Sequence, residues 1–243
     1  MTATPRQQVV AARRIIVKVG SSLLTAAGSG LDVAYINNLC EQIAAARSNG
    51  YEVVVVSSGA VAAGVRKLGW QQRPTARVDM QVVAAVGQMG LINAYEDAFA
   101  RHHLHAAQVM LTAEDMGHRT LYLNARATLR QMLQYSVIPV INENDVIATD
   151  SVSFGDNDRL AAQIANLIEA DLLLMLTEAP GLCRDGENMC DVVQQAAVTD
   201  EHLATYARAG NSVGSGGIRS KLAAARVAAR SGAHSLIADG RDK

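Results

Sequence analysis

The predicted fold rests on two polar clusters that lie close together in the sequence, Pro139-Val-Ile-Asn-Glu-Asn-Asp145 and Gly155-Asp-Asn-Asp158. The apolar run 137–141 is rich in β-branched residues and too short for a helix, so it predicts a buried strand. The second cluster leads into an alanine-rich run ending at Ile168, which predicts a helix with carboxylates in its first turn. Because ligands of open α/β sheets bind outside the carboxyl ends of strands, both clusters are expected to face one crevice.

Both clusters also have a simpler interpretation, because Asn, Asp and Gly are the commonest residues of turns and helix caps. For either cluster alone that interpretation is favoured. Two clusters within about twenty residues, one after a strand and one opening a helix, instead favour a binding site.

A strand, a small-residue turn and a helix or apolar segment follow one another twice in the first third of the chain. The strand predicted over 14–20 carries Lys18 near its end, and Gly20-Ser-Ser22 forms the turn that follows. The strand beginning at Glu52 runs into Ser57-Ser-Gly59, and a helix is predicted from Ala60 to Leu68. Turn N–H groups and an ammonium both favour anions, so Lys18 is a candidate phosphate ligand. A lysine snorkelling at a sheet edge explains Lys18 equally well.

A glycine-rich loop precedes the last helix. The stretch Gly210-Asn-Ser-Val-Gly-Ser-Gly-Gly217 leads to Ile218-Arg-Ser-Lys221, and a helix is predicted over 222–232. A loop that delivers a lysine to a helix start can hold a phosphate. The alternative is a linker, which the lysine and the adjacent helix make less favourable.

Strands and helices alternate along the whole chain, which predicts an α/β fold: a three-layer αβα sandwich with a mostly parallel central sheet. We expect a single domain over residues 1–243 with an N-terminal tail over 1–13. The remaining predicted elements are helices over 32–50, 80–103, 112–134 and, weakly patterned, 192–209, strands over 106–111, 171–177 and 235–238, and a loop over 70–79.

Composition excludes several classes of protein. Of 243 residues, 49% are hydrophobic and 19% charged, and the formal net charge is −1. This balance predicts no nucleic-acid or membrane partner, and no apolar run approaches the roughly 18 residues of a membrane span. The three cysteines, Cys40, Cys183 and Cys190, argue against a disulfide framework. Cys183 and Cys190 could meet as metal ligands or as a redox pair, but unrelated thiols are the favoured interpretation. A cytoplasmic protein is therefore expected.

Lysines, small-residue turns and carboxylates at one crevice suit phosphoryl transfer. That reaction needs positive charge on the transferring group and exact positioning more than covalent chemistry. Lys18 and Lys221 would supply the charge, and carboxylates could hold Mg²⁺, although no single side chain is assigned as a metal ligand. The residues alone therefore favour a kinase, with a non-enzymatic anion-binding module as the second interpretation.

Seven motifs resemble the amino acid kinase family, and within it the members that act on glutamate. The resemblance extends from about Arg14 to Asp239 and is specific in the order and spacing of its motifs. It implies the amino acid kinase fold. The motifs are Val17-Lys-Val-Gly-Ser-Ser22, Ser57-Ser-Gly-Ala-Val-Ala-Ala-Gly64, Ala84-Ala-Val-Gly-Gln88, Leu123-Asn-Ala-Arg126, Pro139-Val-Ile-Asn-Glu-Asn-Asp145, Gly155-Asp-Asn-Asp158 and Gly214-Ser-Gly-Gly-Ile-Arg-Ser-Lys221.

The resemblance implies ATP- and Mg²⁺-dependent phosphorylation of the L-glutamate side-chain carboxylate to γ-glutamyl 5-phosphate, the first step of proline biosynthesis. It places Lys18 and Lys221 on the ATP phosphates and makes Asp158 the organiser of both lysines. The implied glutamate-binding residues are Ser58, Gly59, Asn142, Asp145 and Asn157. The implied ATP-binding residues, besides the two lysines, are Gly20, Ser21, Thr177, Glu178, Gly214, Ser215, Gly216, Gly217, Ile218, Arg219 and Ser220.

The chain departs from the family pattern after its fifth strand, where Glu178 replaces an aspartate and Cys183 replaces a tyrosine. The nucleotide side is therefore expected to be looser. The C-terminal PUA domain of many members is expected to be absent. The resemblance also implies proline feedback inhibition, a homo-oligomer, and hand-over of product to glutamate-5-semialdehyde dehydrogenase. The alternatives are a catalytically impaired glutamate- or proline-binding regulatory module and a related kinase acting on another carboxylate.

Overall fold

A parallel sheet of six strands is the centre of the computed structural model, which describes residues 5–26, 30–148, 157–184, 191–206 and 217–242. The described residues form eight strands, six of them in this sheet: β1 Arg14–Val19, β2 Thr25–Ala26, β3 Gly30–Leu31, β4 Glu52–Ser57, β5 His105–Leu111, β6 Val137–Glu143, β7 Leu172–Thr177 and β8 His234–Asp239. Their order in the sheet is β5-β6-β4-β1-β7-β8, and every pairing is parallel. Only β2 and β3 form a separate, antiparallel pair in the part of the chain described.

Helices cover both faces of this sheet. They are α1 Pro5–Ala11, α2 Ser21–Leu24, α3 Val33–Ser48, α4 Ala60–Lys67, α5 Arg77–Ala100, α6 Arg119–Gln134, α7 Asn157–Ile168, α8 Leu203–Tyr206 and α9 Ile218–Ala228, with short 3-10 turns at Asp115–Gly117 and Ala229–Ser231. One apolar cluster joins the sheet to α6, α7 and α9, and another joins it to α3 and α5. The α/β class and the three layers predicted from the sequence are confirmed.

The central strand β1 shows how the sequence places the site. Successive side chains of a strand point to opposite faces. Ile16 accordingly joins the cluster of α7, and Val17 joins the cluster of α3. Lys18 lies on the Ile16 face, one residue before the strand ends. Its ammonium group therefore reaches the start of α7.

Several predicted boundaries are wrong. The helix expected from residue 80 begins at Arg77 and ends at Ala100, so part of the loop expected over 70–79 is helical. Residues 192–209 were expected to be a helix, but among the described residues 191–206 only Leu203–Tyr206 is helical. The apolar residues there are too sparse for a continuous helix face, and only a small cluster around Leu182, Leu203 and Leu222 buries them. The expected N-terminal tail contains α1.

The cysteines also depart from expectation. Cys183 is disulfide-bonded, so its interpretation as an unrelated thiol is wrong. Cys190 lies outside the described residues. Cys40, a residue of α3, is free and buried, and burial raises the pKa of its thiol to about 12. No helix within the described residues is long and apolar enough to span a membrane.

Close packing of α4 against α5 depends on two glycines. A Cβ atom at Gly87 would lie 1.8 Å from the carbonyl oxygen of Ala60, and one at Gly64 would lie 1.8 Å from that of Val83. A Cβ atom at Gly90 would meet nothing within 4 Å. Gly87 therefore permits the close approach of α5 to α4, whereas a side chain at position 90 would meet no neighbour.

Gly87→Ala is expected to lower the free energy of unfolding by about 1–3 kcal/mol, because the obstructing atom belongs to the backbone of the neighbouring helix. Gly90→Ala in the same helix is the matched control. It is expected to be neutral or to stabilise by up to about 1 kcal/mol, because alanine is the better helix former. Urea denaturation of both variants measures the difference, and equal stabilities would contradict this packing.

Candidate active site

Two lysines meet one buried aspartate at the carboxyl edge of the sheet. The Nζ atom of Lys18, from β1, lies 2.6 Å from Oδ1 of Asp158, in the first turn of α7. The Nζ atom of Lys221, from the first turn of α9, lies 3.2 Å from Oδ2 of the same carboxylate. The Ser220 hydroxyl also donates to Oδ2. Residues more than 60 positions apart in the sequence are thus joined at one carboxylate.

This group of three is almost fully removed from solvent. The exposed fraction of the side chain is 5% for Lys18, 6% for Lys221 and 0% for Asp158. Burial by itself would raise the pKa of Asp158, but the ammonium groups of Lys18 and Lys221 outweigh burial and hold that pKa below its usual value. Asp158 therefore stays ionised, and these three side chains taken together carry one net positive charge. The arrangement favours an anionic ligand.

A second cluster, made of side-chain amides and a serine, lies beside the first. Nδ2 of Asn157, the residue before Asp158, donates to the Ser58 hydroxyl at 2.9 Å and to Oδ1 of Asn142 at 2.9 Å. The backbone N–H of Glu143 donates to Oδ1 of Asn142 at 2.9 Å and to Oδ1 of Asn157 at 3.3 Å. The polar ends of β4 and β6 and the start of α7 are therefore one connected network.

Two buried carboxylates border this network. Asp145 is 7% exposed and Glu143 is 3% exposed. Burial and, to a smaller extent, the negative charge of Glu143 raise the pKa of Asp145 to about 7, against the opposing positive charge of Arg73. Oδ1 of Asp145 is buried and accepts no hydrogen bond among the described residues. Asp145 is therefore suited to a cationic group.

The remaining predicted site residues lie around the same edge. Gly20 caps α2 and Ser21 begins it, and the N–H of Ser58 donates to the carbonyl of Val19 just before them, at 3.2 Å. Gly59 adopts φ +106°, a left-handed conformation that favours glycine, immediately before α4.

The predicted ATP-binding residues do not all lie at this edge within the described structure. Thr177 ends β7. Glu178, the residue that departs from the family pattern, pairs with Arg241 at 2.7 Å on the surface. Gly217 caps α9, and Ile218, Arg219 and Ser220 form its first turn. Gly214, Ser215 and Gly216 lie outside the described residues, as does the Gly155-Asp156 part of its motif.

Three buried polar residues were not assigned to the site from sequence. Gln88 of α5 accepts a hydrogen bond from Nδ2 of Asn142 at 2.8 Å. Glu143 lies between Asn142 and Asp145, and Ser57 bonds the Tyr95 hydroxyl at 3.0 Å. The sequence did contain a signal for Gln88. It is a polar residue on a helix face whose other members are Ala84, Gly87 and Leu91.

In the described ranges no three His, Cys, Asp or Glu side chains come together so that they could hold a metal ion. Mg²⁺ in phosphoryl-transfer sites is bound mainly by substrate phosphates and waters, with one or two carboxylates. The donor set therefore fits a Mg²⁺ ion that arrives on a nucleotide better than a metal held by protein side chains alone.

Known proteins are similar to this chain over most of its length. Residues 13–239 match the model of the amino acid kinase family. The chain is 50% identical to the glutamate 5-kinase of Aromatoleum aromaticum over 241 residues, covering 98% of this chain and 65% of that protein. It is 50% identical to the glutamate 5-kinase of Pseudomonas fluorescens strain Pf-5 over 240 residues, covering 97% and 64%. The chain thus spans slightly less than two thirds of these relatives' length.

Solved structures share the fold. A carbamate kinase from Giardia lamblia bound to AMP-PNP aligns with a TM-score of 0.65 at 16% identity, covering 95% of this chain and 93% of that one. A protein from Aeropyrum pernix K1 aligns with a TM-score of 0.60 at 16% identity, covering 94% of both chains. At this identity the likeness concerns the fold alone.

Proposed function

The chain belongs to the amino acid kinase family, and we propose that it transfers the γ-phosphoryl group of ATP to the side-chain carboxylate of L-glutamate. The products would be γ-glutamyl 5-phosphate and ADP. The observation that carries the proposal is the buried pair of lysines, Lys18 and Lys221, held by Asp158. Similarity to glutamate 5-kinases at 50% identity supports the choice of substrate.

The proposed chemical step needs little from the protein beyond charge and alignment. A side-chain carboxylate oxygen of glutamate attacks the γ-phosphorus, the new O–P bond forms, and the bond to the β–γ bridging oxygen breaks as ADP leaves. Glutamate is already ionised at neutral pH, so no general base is required. Lys18 and Lys221 would neutralise the charge on the transferring group, where fixed donors are most effective.

Asp158 has a positioning role in this scheme. Its carboxylate is shared between the two ammonium groups and is held ionised by them, so it is poorly suited to accept a proton. It would instead keep both lysines aimed at one point. Mg²⁺, when bound with ATP, would supply further charge neutralisation on the β- and γ-phosphates.

The nucleotide would lie along the edge made by the β1–α2 turn, the end of β7 and the start of α9. Gly20 and Ser21 bring backbone N–H groups to the lysines' edge, and α9 starts at the same edge. The start of a helix favours an anion such as a phosphate. Thr177 ends the strand between them. These positions support the ATP-binding assignment.

Glutamate would occupy the crevice bordered by Ser58 and Asp145. Asp145 is buried with an unpartnered oxygen, which suits the α-ammonium group of the substrate. The Ser58 hydroxyl accepts from Asn157, which leaves its own hydrogen for a substrate carboxylate. Gly59 and Asn142 complete this part of the proposed site.

Glutamate affinity is expected to rise with pH across neutrality. The pKa of Asp145 is raised to about 7, and only the ionised carboxylate attracts an ammonium group. The KM for glutamate should therefore fall about tenfold between pH 6 and pH 8, as the ionised fraction rises. Initial rates at several pH values measure this profile, with Asp145→Asn as the variant expected to flatten it. A KM that rises with pH in the wild-type protein would contradict the assignment.

The same group affects stability in the opposite sense. Its folded-state pKa lies above the unfolded value, so the folded protein holds a proton that the unfolded chain releases between pH 4 and 7. The contribution of Asp145 to stability is therefore lost as pH rises through 7. A rise in pH through 7 should therefore lower the stability of the protein while it raises the affinity for glutamate, which distinguishes the two effects.

Release of ADP with a panel of carboxylates tests the substrate. The panel contains L-glutamate, D-glutamate, L-aspartate, N-acetyl-L-glutamate and carbamate, each with ATP and Mg²⁺. The proposal predicts ADP release that depends on L-glutamate and is weak with the other acids. Preference for another acid would favour the related-kinase alternative. Binding of glutamate without ADP release would favour the regulatory module.

A further inference from the structure

A chain of four polar side chains connects α5 to the proposed glutamate crevice. Nδ2 of Asn142 donates to Oε1 of Gln88 at 2.8 Å, and Oδ1 of Asn142 accepts from Nδ2 of Asn157 at 2.9 Å. Nδ2 of Asn157 also donates to the hydroxyl of Ser58 at 2.9 Å. Gln88, Asn142 and Asn157 are 7%, 3% and 2% exposed, so water cannot readily replace these bonds.

One backbone N–H group sets the donor and acceptor direction of every hydrogen bond among these four side chains. The N–H of Glu143 can only donate, and it points at Oδ1 of Asn142 at 2.9 Å. Asn142 must therefore turn its oxygen towards Glu143 and its NH₂ group towards Gln88. Gln88 must in turn present its oxygen. A residue without an acceptor at position 88 would leave the buried NH₂ group of Asn142 unpartnered.

The direction continues to the substrate side. Because Oδ1 of Asn142 is an acceptor, Asn157 turns its NH₂ group towards Asn142 and, with the second hydrogen, towards Ser58. The Ser58 oxygen is thereby used as an acceptor. Its hydrogen has no acceptor among the described residues and is directed to the crevice as a donor.

We propose that Gln88 is a positioning residue for glutamate, which acts through Asn142 and Asn157 to make the Ser58 hydroxyl a hydrogen-bond donor to a substrate carboxylate. The inference rests on the proposed function, because it names the residue that prepares the same crevice. Gln88 lies behind Asn142 on α5, so it acts without touching the substrate. Its effect should fall on glutamate binding and leave ATP binding nearly unchanged.

Two substitutions separate positioning from packing. Gln88→Met preserves the approximate length of the side chain and removes the acceptor. Gln88→Glu preserves an acceptor oxygen in either protonation state, so Asn142 keeps its direction. Gln88→Met is expected to raise the KM for glutamate roughly tenfold, the effect of losing one buried hydrogen bond. Gln88→Glu should stay within about threefold of the wild type, and the KM for ATP should move less than about twofold in both.

The kinetic outcomes decide the inference in either direction. A glutamate KM in Gln88→Met equal to that of the wild type overturns it. Equal impairment of both variants also overturns it, because that result would mean that position 88 needs the glutamine shape and not its oxygen. A parallel rise in the KM for ATP would indicate general damage and overturns it as well.

A measurement without ligand keeps the inference independent of the proposed function. In ¹H–¹⁵N spectra of the wild-type protein, the side-chain NH₂ groups of Asn142 and Asn157 should exchange slowly with water. The same groups should exchange faster in Gln88→Met and remain slow in Gln88→Glu. Fast exchange in the wild type overturns the proposed positioning role of Gln88 even if glutamate is the substrate. Slow exchange in a protein without glutamate-dependent ADP release would preserve the hydrogen-bonded chain of side chains and overturn the proposed function.

Discussion

Lys18→Ala and Lys221→Ala are each expected to lower kcat by about 10²- to 10³-fold, the usual effect of removing one fixed donor from a developing negative charge. Each ammonium is buried and held within 3.2 Å of the Asp158 carboxylate, so neither needs to reorganise during the reaction. Because the charge on the transferring group is largest in the transition state, kcat should fall more than either KM rises.

Lys67→Ala is the matched control, since Lys67 lies exposed at the end of α4. It should leave kcat unchanged. Thermal denaturation of each variant establishes that the protein is folded under assay conditions. Normal turnover by folded Lys18→Ala and Lys221→Ala proteins would contradict the phosphate role of both lysines.

Asp158→Asn is expected to destabilise the folded protein by about 3–5 kcal/mol, because it leaves two buried ammonium groups without a counter-charge. The lysine side chains are only 5% and 6% exposed, so water screens their repulsion poorly. Activity should fall as well, since the lysines would no longer be held at one point. Urea denaturation at pH 7 measures the change in stability.

Removing one lysine should relieve part of this loss. The double variant Lys18→Met with Asp158→Asn has one buried cation fewer than Asp158→Asn alone. It is expected to be more stable than the sum of the two single effects, by about 1–3 kcal/mol, as contacting residues are non-additive. Strictly additive effects would mean that the lysine and the aspartate do not interact energetically.

Low pH should destabilise the wild-type protein in the same way as Asp158→Asn, because it protonates the Asp158 carboxylate. The folded-state pKa of Asp158 is below its ordinary value, so its contribution to stability is present above the unfolded pKa near 4 and is lost as pH falls through the folded pKa. Asp158→Asn removes that contribution at every pH. The stability difference between wild type and variant should therefore shrink as pH falls below 4.

The order of elements and the edge that carries the site were predictable because short apolar runs and small-residue turns are local signals. Lys18, Asp158 and Lys221 were each placed at a strand end or a helix start, and parallel pairing brings such positions to one edge. The meeting of both lysines at one carboxylate depends on α7 and α9 packing together. Motif order implied it only through the family resemblance.

Other features depend on tertiary context that the sequence does not display. Gln88 interrupts an apolar helix face, but its partner Asn142 is 54 residues away. The described part of the segment, 192–206, contains helix-forming alanines, yet too few of its apolar positions face a common partner to stabilise a continuous helix. Glu178 pairs with Arg241 near the end of the described chain, which no local pattern indicates.

Regulation and assembly stay predictions of the family resemblance. They are proline inhibition, a homo-oligomer and hand-over of product to glutamate-5-semialdehyde dehydrogenase. A cytoplasmic location likewise stays a prediction, drawn from the composition and the cysteine content. Titration of proline against glutamate-dependent ADP release tests the first, and light scattering during size-exclusion chromatography tests the second.

Trapping the acyl phosphate with hydroxylamine identifies the product itself. The protein is incubated with L-glutamate, ATP, Mg²⁺ and hydroxylamine, and the γ-glutamyl hydroxamate is quantified by mass spectrometry. The proposed function predicts hydroxamate that requires both ATP and L-glutamate and is lost in Lys18→Ala. ADP release by the wild-type protein without any γ-glutamyl hydroxamate would contradict phosphoryl transfer to the glutamate side chain.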